Sequence, residues 1–180
     1  MGERRCPGQQ RTFVRMAWIG GLLASALAPR AARAQQPSTT LTVTGAPSVS
    51  APAIADYAAG FICAGSITAS LTKVTGGTFS DAILIRLAQS TAIQSSSPTG
   101  FTLPLTDFQY SVSTPPLGTN CTSGTWVSVP AAGATSATVA AAATVPYSKT
   151  IYFRLKLAWT TDRGGVTYTL PTVNVYVNSP

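Results

Sequence analysis

Between Ile151 and Trp159 the chain reads IYFRLKLAW. Ile151, Phe153, Leu155, Leu157 and Trp159 fall on one parity, and Tyr152, Arg154, Lys156 and Thr160 on the other. A helix would scatter these residues around its circumference, whereas a strand sends alternate side chains to opposite faces. The stretch is therefore a half-buried β-strand, and few folds can use it without a second layer to cover the apolar face. Similar runs recur along the chain. They predict strands near 40–44, 48–54, 65–74, 82–89, 106–113, 124–129, 134–140, 149–160 and 166–177. Turn-forming residues separate them: Gly76-Gly77, Ser97-Pro98-Thr99-Gly100, Pro115-Pro116 and Thr161-Asp162-Arg163-Gly164-Gly165. Short strands at such spacing imply an all-β fold of two packed antiparallel sheets. AILIRLAQ at 82–89 is nearly continuous in apolar residues and reads as a central strand, with Arg86 the exception.

The first residues read as a secretory signal peptide. Arg4, Arg5, Arg11 and Arg15 precede an apolar run from Met16 to Ala28, and Ala32-Arg33-Ala34 offers a cleavage site after Ala34. The expected organisation is thus a signal peptide over 1–34 and a single β-sandwich domain over 35–180. Beyond Ala34 the basic side chains are Lys73, Arg86, Lys149, Arg154, Lys156 and Arg163. The acidic ones are Asp56, Asp81, Asp107 and Asp162, for a net charge of +2. The strongly basic balance of the whole chain belongs mainly to the leader. A nucleic-acid partner, which needs a dense basic stripe, is not expected. No membrane association is expected once the leader is removed.

Several chemistries lose their residues. The chain has no His, so neither a Ser-His-Asp nor a Cys-His site can be assembled, and zinc loses its commonest ligand. Ser70-Leu71-Thr72-Lys73 matches S-x-x-K, but that chemistry needs a helix start, and this segment alternates as a strand. No catalytic, cofactor or metal site is expected. Cys63 and Cys121 are the two cysteines beyond the leader, and in an oxidising compartment they should pair. Cys121 lies in GTNCTSG, a loop, so the bond should staple that loop to the domain and leave the sheet centre alone.

The short turn at 161–165 suggests that IYFRLKLAW folds back on VTYTLPTVNVYV as a hairpin. The apolar parity of the second segment flips across Pro171-Thr172, which marks a β-bulge. The outer face of that hairpin would gather Tyr152, Arg154, Lys156, Asn174 and Tyr176. Trp126, sharing parity with Ser128, would join Tyr152 and Tyr176 as a platform for sugar rings. Against this stand two ordinary readings: a solvated strand face for Arg154 and Lys156, and loop cover for Trp126.

AQQ at the end of the leader, LTVTGAPSVSAPAIADYAAGF, FRLKLAWTTDRGG, Tyr168 and VNVYV together resemble secreted bacterial pilin-like β-sandwich proteins. These include the spore coat protein U family and, more remotely, the chaperone–usher pilins. The resemblance implies an immunoglobulin-like sandwich in a surface appendage, adhesive layer or matrix. Leu41-Thr42-Val43-Thr44-Gly45 is similar to the N-terminal donor strand of pilins. Paired with VNVYV of its own chain, this strand would complete a monomer; paired with a neighbour, it would build a fibre. The chain lacks the penultimate aromatic of pilins, and self-pairing is the expectation. The functional expectation is an exported, non-enzymatic structural or adhesive protein whose partner is itself or a surface glycan or protein. The alternative is a carbohydrate-binding module using exposed Trp and Tyr.

Overall fold

The computed structural model describes residues 38–75, 80–97, 99–113, 121, 123–159, 162 and 165–178. The leader over 1–34, the Gly76-Gly77 and Pro115-Pro116 turns and most of the 161–165 turn lie outside them. Gln35–Pro180 forms one compact unit. Its strands are β1 (Ser38–Thr44), β2 (Phe61–Thr75), β3 (Ser80–Leu87), β4 (Ile93–Ser97), β5 (Thr102–Leu103) and β6 (Phe108–Ser111). They continue with β7 (Val127–Ser128), β8 (Ala137–Thr144), β9 (Tyr147–Lys156), β10 (Thr167–Thr169) and β11 (Val173–Asn178).

One layer is a five-stranded sheet in the order β1-β2-β9-β6-β7, every pairing antiparallel. The other comprises two three-stranded pieces, β11-β3-β8 and β10-β4-β5. These pieces run end to end. β3 leads into β4, β10 leads into β11, and Ala88 N–H donates to the Thr172 carbonyl at 2.9 Å across the interruption. The inward faces of both layers share one core. In β9 the buried residues are Ile151, Phe153 and Leu155, and in β3 they are Asp81, Ile83, Ile85 and Leu87. The rings of Phe108 and Phe153 stack at 5.3 Å in its centre. The chain is an all-β antiparallel sandwich.

In β2 the inward set shifts from Ile62 and Ala64 to Ile67, Ala69 and Leu71. Side chains on one face of a regular strand lie an even number of positions apart, whereas Ala64 and Ile67 are three apart, so the flip needs an extra residue. The register shift between Cys63 and Ser66 supplies it, at Gly65 with φ +77°.

Several expectations change. The 48–54 segment is not a strand. Pro47 and Pro52 deny it ladder donors, and the chain enters a short helix, α1 (Ile54–Ala59), whose first turn Asp56 closes by accepting from Ala53 N–H at 2.7 Å. The hairpin of IYFRLKLAW with VTYTLPTVNVYV does not form. β9 lies between β2 and β6, whereas β10 and β11 pair with β4 and β3 in the other layer. At Pro171-Thr172 the predicted bulge is a full break between β10 and β11, and the buried Pro171 ends one ladder before the next begins. Val173 and Val175, the apolar parity of VNVYV, are only half-buried because β11 is an edge strand. Trp159 leaves the alternation altogether: it is 58% exposed, its ring tilted against Tyr57 at 5.0 Å. Finally, β1 pairs within its own chain, but with β2 and not with β11, Leu41 opposite Leu71 and Val43 opposite Ala69.

Gly45 ends β1 with φ +87°, and a Cβ there would sit 2.6 Å from the Ser66 carbonyl oxygen. Gly133, with φ +82°, has nothing within 4 Å of its Cβ position. Gly133→Ala should therefore cost only the backbone strain, about 1–3 kcal/mol, and Gly45→Ala measurably more, because β1 must also be pushed off β2. Urea midpoints of the two variants check this; equal costs would mean that Gly45 does not make the close approach.

Candidate functional site

The candidate residues divide between the two layers. On the outer face of the five-stranded sheet, β9 presents Tyr152, Arg154 and Lys156. Lys156 is exposed, as a solvated strand face requires, but Arg154 is half-buried. In register it lies between Cys63 on β2 and Gln109 on β6. Its Nε donates to Gln109 Oε1 at 2.8 Å and its Nη1 to the Cys121 carbonyl at 3.2 Å. Its guanidinium carbon lies 4.6 Å from the centre of the Trp126 ring and 4.9 Å from that of Phe61. Two cation–π contacts and two hydrogen bonds make Arg154 the centre of a cluster. Burial lowers its pKa from the ordinary guanidinium value.

Trp126 reaches that position because Cys121 is tied down. Cys63 and Cys121 form a disulfide with their Cα atoms 5.7 Å apart, and Cys121 N–H also donates to Cys63 Sγ at 3.1 Å. Cys63 points outward from β2, on the parity opposite to Ile62 and Ala64, so the bond fastens a loop to the outside of the sheet. That is the stapling expected from GTNCTSG. It differs from the immunoglobulin arrangement, in which the bond crosses the core between the two sheets. Trp126 Nε1 donates to the Ser123 carbonyl at 3.0 Å, which orients the indole over Arg154. Gly124, φ +93°, lets the chain pass where a Cβ would collide with Ser113 Oγ.

Asn174 and Tyr176 lie elsewhere, on β11 in the second layer. Asn174 is opposite Arg86 in the ladder. Arg86 Nε donates to the Tyr176 hydroxyl at 3.0 Å, and its guanidinium carbon is 5.0 Å from the Tyr176 ring centre. The hydrogen bond from Arg86 leads the influences that lower the Tyr176 phenol from its usual value. Arg86 was legible only as the exception in an apolar run. Nothing in the sequence places it beside Tyr176, 90 residues away.

The acidic residues have structural employment. Asp81 is buried and accepts from Thr39 Oγ1 at 2.8 Å. Asp162 accepts from Ala158 N–H. Burial raises the Asp107 carboxyl above its ordinary value, Lys156 opposing and Asp162 reinforcing the shift. Among the described residues, no group of three or more His, Cys, Asp or Glu side chains could hold a metal ion. Also among them, no helix is long and apolar enough to cross a membrane. Ser70 and Lys73 lie on β2 with Leu71 buried between them, so the S-x-x-K match sits on a strand.

A cavity of about 240 Å³ opens between the layers at the free sides of β1 and β11. Val43, Pro47, Ile67, Leu170, Pro171 and Val173 line it. Among the described strands, β1 ends its sheet and β11 ends the other.

No protein-family model matches the chain, and no curated protein matches it significantly.

Proposed function

We propose that the chain is an exported, non-enzymatic structural or adhesive domain of the bacterial cell surface or matrix, as its resemblance to pilin-like sandwiches implies. The observation that carries this reading is the open side of the sandwich. Two uncharged edge strands, β1 and β11, border an apolar groove, which is the form of surface that adds another strand or another subunit. The stapled loop adds support, since a disulfide on the outside of a sheet suits an oxidising exterior. The carbohydrate alternative loses its shared platform: one face of Trp126 is given to Arg154, and Tyr176 sits on the other layer.

Fractionation of bacteria producing the tagged full chain tests the reading. The product should begin after Ala34, carry no free thiols and appear in the surface or matrix fraction. Uncleaved chain retained in the cytoplasm would end the proposal. Glycan binding that disappears in Trp126→Ala would move the assignment to the carbohydrate alternative.

A further inference from the structure

The outer strands of a sheet are where association begins, and most of those in this molecule are protected. β7 and β5 have two residues each, and β10 has three. β8 is longer, but its ladder with β3 is broken by register shifts at Asp81/Ile83 and at Ile83/Leu84. Short strands and bulges are two of the devices that keep edges from pairing. β11 is regular over six residues, yet its outer face carries the Tyr176 ring and the Arg86 guanidinium laid against it. β1 has none of these devices. From Thr39 to Thr44 its ladder is continuous, with neither charge nor proline. Its outward side chains, Thr40, Thr42 and Thr44, are all exposed.

The inner side of β1 is also unfinished. Val43 shares parity with half-buried Leu41 but remains 42% exposed, because the apolar cavity opens beside it. We propose that the occupant of this edge is a second copy of the chain, with two β1 strands pairing antiparallel across a two-fold axis. The choice of a second copy follows from self-complementarity. With Thr42 opposite its own counterpart, Leu41 of each copy faces Val43 of the other, and Thr40 faces Thr44. Apolar side chains then meet on the inner face and threonines on the outer face, the favoured cross-strand pairs. No charge lies on either strand, and the net charge of +2 over residues 35–180 opposes association little. The contact is isologous and closes on itself, so it yields a dimer and not a fibre. One strand pair makes a small interface, so the dimer is weak.

This inference names the partner for the open side invoked under the proposed function and rests on that reading for its biological use. Its test is independent of export. Sedimentation velocity of the chain purified after export, with the Cys63–Cys121 bond intact, should show monomer giving way to dimer as concentration rises from about 1 to about 200 µM. Thr42→Lys places two ammonium groups opposite each other on the exposed face. It should move the midpoint upward by about tenfold or more and leave the melting temperature of the monomer unchanged. Mixing T42K with T42E should restore a dimer containing one of each. Asn174→Lys, on the other edge, should leave dimerisation as in the parent chain. Monomer at every concentration, a T42K dimer as tight as the parent, loss of the dimer in N174K, or species that keep growing beyond two copies would each overturn the proposal.

Discussion

Phe153→Ala should be the most damaging single truncation, lowering the unfolding free energy by about 3–5 kcal/mol. Phe153 has no solvent exposure, and its ring stacks on Phe108, itself wholly buried. It lies opposite Tyr110 in the ladder between β9 and β6 and faces the second layer, so neither strand can close on the space left behind. The loss combines the transfer of a phenyl group out of water with a cavity that the sheet holds open. Lys156, three residues on, points to solvent from the same strand, and Lys156→Ala should change stability by no more than about 0.5 kcal/mol. Urea denaturation of both variants checks the pair. Comparable losses at the two positions would mean that β9 does not present Phe153 inward and Lys156 outward.

Replacing both bridging cysteines, Cys63→Ser with Cys121→Ser, should cost about 4 kcal/mol, the chain entropy released when a loop of 58 residues is no longer closed. The effect should reach beyond the unfolded state. The Cys121 carbonyl accepts from Arg154 Nη1, and the same loop carries the Ser123 carbonyl that holds the Trp126 indole. Freed of its anchor, the loop gives up part of the Arg154 cluster, and Trp126 emission should shift to the red in folded protein. Denaturant melts with and without reductant should reproduce the stability loss in the parent chain and show none in the double variant. Two alkylatable thiols in the unreduced parent protein would refute the bond itself.

The sequence alone determined which faces are apolar. Strict alternation in IYFRLKL assigned Ile151, Phe153 and Leu155 to the core, because a strand leaves each side chain only two directions, and the nearly continuous apolar run AILIRLAQ marked a central strand, the place β3 takes with Ile83 and Ile85 buried. Pro171 marked an irregularity, since proline cannot donate to a ladder, though as a bulge and not the full break the structure has, and two cysteines beyond the leader left one obvious pairing. Other elements left weaker traces. IQSSS in β4 is polar, yet Ile93 and Ser95 are buried on one parity, with Ser95 Oγ accepting from Phe101 N–H. α1 is announced only by Asp56 three residues after Ala53 and by Gly60 at its end, where φ is +79°.

Only the tertiary structure decided which strand lies beside which. Period two says where a side chain points and is silent about its neighbour, and a turn between two strands does not oblige them to pair. After β9 the chain crosses to the other layer, which separates Tyr152, Arg154 and Lys156 from Asn174 and Tyr176 and dissolves the face that the hairpin would have made. The same crossing leaves β11 beside β3, where Tyr176 meets Arg86, and leaves β1 on β2 with no described strand on its far side. Arg154 has the spacing of a solvated residue. It is enclosed because the disulfide from Cys63 holds the loop of Cys121, 58 positions further on, over its sheet, a contact between segments whose separation no local pattern encodes.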